Sequence, residues 1–418
     1  MQLIEKFGKI DLKPLVLCGD VRFVEDFIKK YNDTLQLFAV ASFYPEDIEN
    51  QSFAEKYKIK TLYFDDGCFN DCRYIICSDF SSFFTYFTQS GKREYIDFVS
   101  SSLVDAWINE KSVVLMMGTE LLRQVKRFLE LSEKFLSNNS IVYFEDCNVK
   151  KQSAIDGLDK WVEYLHVARW ADYYYYSSSE KKGYSNRILN EKMLKRECET
   201  YSLADHGFRG FFPQFDEDRN VFSDYFYREY DRADINYNII IGNKTDRVLE
   251  TLCRQGLSEA AICRTVLEQD CISRYEVSQK LDAELTRIEQ CEKTDSIKLY
   301  DFLINHLNNN LCRNLEEWNE PVVSYFANAI LGIMGYDELT LDNATLQTII
   351  DCSSGYEALI YHSVQDKMMI PIKDKYKVVT FYDSWIMDEE EYIHYVVRQM
   401  ILARNLKEIT GFVKADMG

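Results

Sequence analysis

The segment "IVYFEDCNVKKQ" (141–152) sets Asp146, Cys147 and Asn148 in a turn between an apolar run and a helix-forming one. Where a strand hands over to a helix, the first backbone N–H groups of the helix are unpaired. They can hold an anion or stabilise a thiolate. In that setting Cys147 is a candidate nucleophile and Asn148 a candidate hydrogen-bond donor. Lys150 and Lys151, just beyond, are candidate phosphate contacts. The opposing reading makes Cys147 one of 12 mostly buried cysteines whose polar neighbours cap a helix. Spacing alone favours that second reading.

Three further stretches carry polar groups where side chains do chemistry. "HGFRGFFPQF" (206–215) combines two glycines, a proline and a run of phenylalanines, which suits neither a helix nor a strand. It predicts a rigid loop with apolar anchors. Arg209 and Gln214 are then polar contacts to a pocket, or the loop simply closes a domain edge. In "EEWNEPVVSYFANAIL" (316–331), Asn319 and Glu320 precede Pro321 at a helix start. A carboxylate there serves as a general base or, more commonly, complements the helix dipole. The loop "EKKGYSNR" (180–187) offers Lys181, Lys182 and Arg187 to an anion, although a solvated loop is the commoner use of such residues.

Other chemistries lack their signatures. The five histidines are isolated in sequence, with no H-x-x-x-H or H-E-x-x-H, so no metal site is expected. G-x-S-x-G, the Walker P-loop and G-x-G-x-x-G are absent. The cysteines Cys68, Cys72 and Cys77 do not have zinc-knuckle spacing. A net charge of −19 repels nucleic acid and anionic membrane surfaces, so neither is an expected partner, while a local basic pocket for a small anionic molecule stays open. No leader is apparent, and no apolar run approaches the ~18–20 residues a membrane helix needs. A reduced, cytoplasmic location follows as the expectation.

The elements that must position these residues alternate strand and helix through the first 140 positions. "PLVLCGD" (14–20), "LQLFAVASF" (35–43), "TLYF" (61–64), "YIICSDF" (74–80) and "SVVLMMG" (112–118) read as short buried strands. "TELLRQVKRFLELSEKFL" (119–136) reads as one amphipathic helix capped by Thr119. A second strand–helix–strand unit is expected from 140 to 180, ending in "ADYYYYSSS". From about 245 the pattern is mainly helical, with "SRYE" (273–276) as a capping box and "TDSIKLYDFLINHL" as a helix with a Thr/Asp/Ser start. The fold class is α/β. A parallel-sheet, Rossmann-like domain (1–138) is followed by a second α/β domain (139–418) whose C-terminal half is mainly helical.

Taken in order from 140, the segments resemble the WcbI-type polysaccharide biosynthesis proteins, acetyltransferases of bacterial capsule assembly that bind coenzyme A. "FEDCN" stands where that family has a Gly-Asn-Cys-Gln turn, and "RGFFPQF" (209–215) agrees with its Gly-Phe-Phe-Pro-Gln loop almost letter for letter. "GLSEAAI" (256–262), "NEP" (319–321) and "MDEEEYIHYVV" (387–397) follow in the family's order, while residues 1–138 lie outside the resemblance. It implies acetyl transfer from acetyl-CoA to a sugar hydroxyl. Cys147 and Glu320 would be the catalytic residues. Asn148, Lys150, Lys181, Lys182, Arg187, Arg209, Gln214 and Asn319 would hold the cofactor. Glu320 replaces the histidine of the family's Asn-His-Pro helix start, and Glu145 replaces the glycine of the turn. The alternatives are a CoA- or glycan-binding scaffold without turnover, and a hydrolase pairing Cys147 with a distant histidine.

Overall fold

The computed structural model describes residues 15–18, 37–42, 60–63, 74–77, 97–100, 109–145, 167–178, 197–215, 246–315, 317–351, 357–372, 375–379 and 384–401, with a few single positions between them. The chain divides into two compact units. One comprises Met1–Ser177, Lys182–Ser202 and Leu331–Asp337; the other comprises Ser178–Lys181, Leu203–Ile330 and Glu338–Gly418.

The first unit holds two sheets. Strands β1 (Leu15–Cys18), β2 (Leu37–Ser42), β3 (Lys60–Tyr63), β4 (Tyr74–Cys77) and β5 (Asp97–Ser100) form a five-stranded sheet in the order β3-β2-β1-β4-β5. Every pair in it is parallel, the sense expected from alternating strands and helices. The four-residue β5 has no counterpart among the expected strands. The second sheet is built from β6 (Ser112–Gly118), β7 (Asn139–Glu145), β8 (Tyr173–Ser177) and β9 (Glu199–Leu203), in the order β7-β6-β8-β9.

Strand β6 pairs in parallel with β7 and with β8, and the bonds from Glu199 N to Asp172 O and from Ser178 N to Leu203 O continue the parallel sense to β9. The boundary expected near 138–140 therefore falls inside one sheet, and the strands on either side of it are neighbours. The strand–helix–strand order expected over 140–180 is present, with helical positions at 164, 167 and 168 between β7 and β8, but the two strands are not adjacent, because β6 lies between them. Six of the seven residues of β6 are buried, so both of its faces are covered, while β7 and β8 satisfy its two edges.

The single helix expected over 119–136 is two. Helix α1 (Glu120–Leu129) buries Leu121, Leu122, Val125, Phe128 and Leu129, each such side chain contributing about 1.5–3 kcal/mol of burial. Thr119 stands at its N-cap position without a side-chain cap bond. Ser132 interrupts the helix by accepting from Phe135 N, which starts α2 (Glu133–Asn138). The segment Leu331–Asp337 packs on α2: Asn139 Nδ2 donates to the Tyr336 hydroxyl at 2.7 Å, and Phe135 meets Tyr336 edge-on at 5.2 Å.

The second unit is mainly helical. Helices α3 (Arg247–Arg254), α4 (Glu259–Glu268) and α5 (Arg274–Cys291) start at Asp246, Ser258 and Ser273, whose side chains accept first-turn N–H groups. Gly256, at φ +75°, ends the first of these in the left-handed region that glycine enters freely. Then follow α6 (Tyr300–His306), α7 (Glu320–Ile333), α8 (Asn343–Asp351) and α9 (His362–Met368). An antiparallel hairpin of β10 (Lys375–Val379) and β11 (Ser384–Asp388) precedes a last helix over 389–401. No described helix is long and apolar enough to cross a membrane.

Candidate functional site

Of the ten residues the resemblance assigns to catalysis or the cofactor, six (Cys147, Asn148, Lys150, Lys181, Lys182 and Arg187) lie outside the described residues, as do Asp146 and Lys151. Strand β7 runs as far as Glu145, in register with Gly118 at the carboxyl end of β6. The other four lie in the second unit, and two of the segments carrying them are bonded together. Trp318, just before Asn319 and Glu320, donates its indole N–H to Asp205 Oδ1 at 3.2 Å. Its ring also stacks on Phe208 at 6.5 Å. The start of α7 is thereby fixed to the loop that contains Arg209 and Gln214.

That loop has the apolar anchors its composition predicts. Phe208, Phe211 and Phe212 are buried as anchors. Gly207 adopts φ +62°, and a Cβ on Gly210 would lie 2.4 Å from the Phe208 ring, so both positions require glycine. From α5, Arg287 donates to the carbonyls of His206 (3.2 Å) and Gly207 (2.9 Å) while pairing with Glu284 at 2.8 Å. Glu284 Oε1 accepts the Arg209 backbone N–H at 2.8 Å. Burial raises the Glu284 carboxyl, but Arg287 and the Arg209 N–H outweigh it, and its pKa ends below the ordinary value.

The remaining polar groups have defined partners. Gln214 is fully buried and donates from Nε2 to Leu359 O at 2.7 Å, while its Oε1 has no hydrogen-bond partner among the described residues. Asn319 donates from Nδ2 to Asn310 O at 3.0 Å, and its carbonyl accepts Val322 N and Val323 N at the start of α7. Glu320 opens α7, half-buried, in the first turn where a carboxylate complements the helix dipole.

The closest constellation of chemically active groups was not assembled by reading the sequence. Ser178, directly after β8, and His206, three residues after β9, converge on Asp295. Asp295 Oδ2 accepts from Ser178 Oγ at 2.8 Å and lies 3.0 Å from His206 Nε2. Ser178 Oγ is 3.5 Å from the same ring nitrogen and 2.9 Å from Leu203 O. The side chains of His206 and Asp295 are each 3% exposed, and His206 Nδ1 is buried with no hydrogen-bond partner among the described residues.

Two features bring the three together. Leu203 bridges Ile297 in parallel and Ala204 N donates to Ile297 O at 3.0 Å, so the chain after β9 runs beside 295–297. A 3₁₀ turn, Glu292–Thr294, then turns Asp295 toward it. The expected helix start at Thr294–Ser296 is displaced: α6 begins at Tyr300, and the Glu292 carboxylate takes the N–H groups of Leu299 (2.6 Å) and Tyr300 (2.9 Å). His206 was legible only as the first residue of the loop motif, and Asp295 only as a capping residue.

Among the described residues no group of three or more His, Cys, Asp or Glu could hold a metal ion. Burial pushes the Cys263 thiol up to about 11 and Cys312 well above its usual value, which makes both poor nucleophiles at neutral pH.

No protein-family model and no curated protein matches the sequence. Among solved structures the chain is similar to WcbI, described as a novel polysaccharide biosynthesis enzyme, in its native form without a disulfide bond between coenzyme A and one of its cysteines. The identity is 10% and the TM-score 0.50, over 69% of this chain and 89% of that one. At that identity the likeness is one of fold: this chain shares with WcbI an α/β architecture of parallel sheet and helices.

Proposed function

We propose that this chain is an acetyltransferase of capsular or surface polysaccharide biosynthesis. It would move an acetyl group in the cytoplasm from acetyl-CoA to a sugar hydroxyl on a glycan precursor. The observation that carries this reading is the fold shared with a polysaccharide biosynthesis enzyme known in relation to coenzyme A, over 89% of that chain. The turn, loop and helix-start motifs of the sequence follow in order along the same chain.

Transfer from a thioester to a hydroxyl needs a proton acceptor at the hydroxyl, donors for the oxyanion and cations for the CoA phosphates. Lys150, Lys181, Lys182 and Arg187 are proposed for the phosphates, and Asn148, Arg209, Gln214 and Asn319 as polar contacts to the cofactor. Cys147 is assigned as acyl acceptor or wall of the thioester pocket, and Glu320 as an acid–base group. Isothermal calorimetry with CoA and with acetyl-CoA tests the reading. Saturable heat with both is expected, and no binding at millimolar ligand overturns it. Binding of CoA without any turnover of acetyl-CoA would identify a CoA-binding scaffold instead.

A further inference from the structure

We propose that His206, in place of Glu320, is the general base of this acyl transfer, with Asp295 and Ser178 as positioning residues; the proposal rests on the acetyltransferase reading above. The imidazole is anchored on one side only. Nε2 faces the Asp295 carboxylate at 3.0 Å, and Ser178 Oγ, at 2.8 Å, bonds to the same carboxylate oxygen. Nε2 is committed to that carboxylate. Nδ1 is then the one ring atom where a proton can arrive or leave, and it has no hydrogen-bond partner among the described residues. A buried imidazole with one nitrogen fixed by a carboxylate and the other bare is the arrangement a proton acceptor needs.

The placement of Ser178 decides which hydroxyl is served. A nucleophilic serine activated by this histidine would sit at the nitrogen opposite the carboxylate. Ser178 instead lies on the carboxylate side, 3.5 Å from Nε2, and donates away from the ring. The hydroxyl deprotonated at Nδ1 therefore comes from outside the cluster, and on the acetyltransferase reading it is that of the sugar acceptor. Its oxygen attacks the thioester carbonyl as its proton passes to Nδ1. The C–S bond then breaks, and the departing sulfur takes that proton back, leaving an ester and free CoA thiol. The ring is held for this by the clamp of Arg287 on the carbonyls of His206 and Gly207, and by Trp318 on Asp205 and Phe208. Such pre-organisation spares the transition state any rearrangement of the base.

The experiment compares wild type with His206→Gln and His206→Asn by CoA calorimetry and by release of CoA thiol from acetyl-CoA in the presence of a hexose. Gln retains a donor that reaches Asp295 and lacks the bare acceptor. Both variants are expected to bind CoA as wild type does, which also reports their folding, while thiol release falls about 100-fold or more. For Asp295→Ala, a lower kcat at unchanged KM is expected, and nitrogen NMR of the imidazole should lose the single Nε2-protonated tautomer of the wild type. If wild type does not bind CoA, the acetyltransferase reading falls and this base with it. If wild type binds CoA and turns over acetyl-CoA, but releases thiol no faster than His206→Gln, that reading stands and the base is overturned.

Discussion

Asp246 carries the clearest electrostatic signal among single residues. Its side chain caps α3 by accepting Val248 N at 2.9 Å and Leu249 N at 3.1 Å, and its other oxygen accepts the Tyr361 hydroxyl at 3.0 Å. Burial pushes the carboxyl up to about 6, against the pull of those N–H and O–H donors and of Arg247. A folded-state pKa above the unfolded value of 3.8 means that the native state holds the proton more tightly. This contribution to stability is complete below about pH 4 and is lost as the pH rises through about 6. Asp246→Asn keeps a good capping oxygen and removes the buried charge. It is expected to raise stability at pH 7 by roughly 1–3 kcal/mol, with the gain vanishing near pH 4. Thermal melts of both proteins from pH 4 to pH 8 check this, and a variant no more stable at pH 7 would refute it.

At the scale of elements, the loop 206–215 shows what composition can and cannot convey. Its irregular, apolar-anchored form was legible, since two glycines and a proline exclude regular structure and phenylalanines must bury somewhere. Its partner was not. The Trp318–Asp205 bond joins positions 113 residues apart, and no local pattern records such a pairing. Asp295 was misread for a related reason: a Thr-Asp-Ser run resembles a helix cap, yet Glu292 caps α6 from eight residues before Tyr300. The fit of the loop makes a direct prediction. Gly210→Ala puts a Cβ into the Phe208 ring, which cannot retreat because Trp318 stacks on it and Phe211 meets it edge-on at 5.2 Å. A loss of about 1–3 kcal/mol is expected from overpacking. Thiol release from acetyl-CoA should fall with it, because His206 belongs to the displaced segment. Denaturant titration and a thiol assay on the same preparation test both, and an unchanged denaturation midpoint would show that the loop yields.

For the whole molecule, the sequence conveyed class better than arrangement. Five of the six strands that open the chain were legible as apolar runs, and the helical second half was legible from capping residues and periodicity. The order of strands was not, because placing β6 between β7 and β8 is a choice among faces already covered. β9 (ETYSL) and β5 (DFVS) each hold too few consecutive apolar residues to stand out from loop sequence. Net charge is legible from sequence alone, and it bears on the cofactor. A chain of −19 repels the CoA phosphates at long range, yet at physiological ionic strength charges beyond about 8 Å are largely screened. Contact cations then decide the affinity. If Lys181, Lys182 and Arg187 hold those phosphates, CoA binding weakens as salt rises, against the trend that the net charge alone would set. Replacing all three with alanine is expected to weaken binding about tenfold or more and to flatten or reverse the salt dependence, because the repulsive field then outweighs the one proposed cation, Lys150, that remains. Calorimetry with CoA at low and at physiological salt provides the test. Equal salt slopes in wild type and variant would remove these three residues from the cofactor site while leaving CoA binding itself intact.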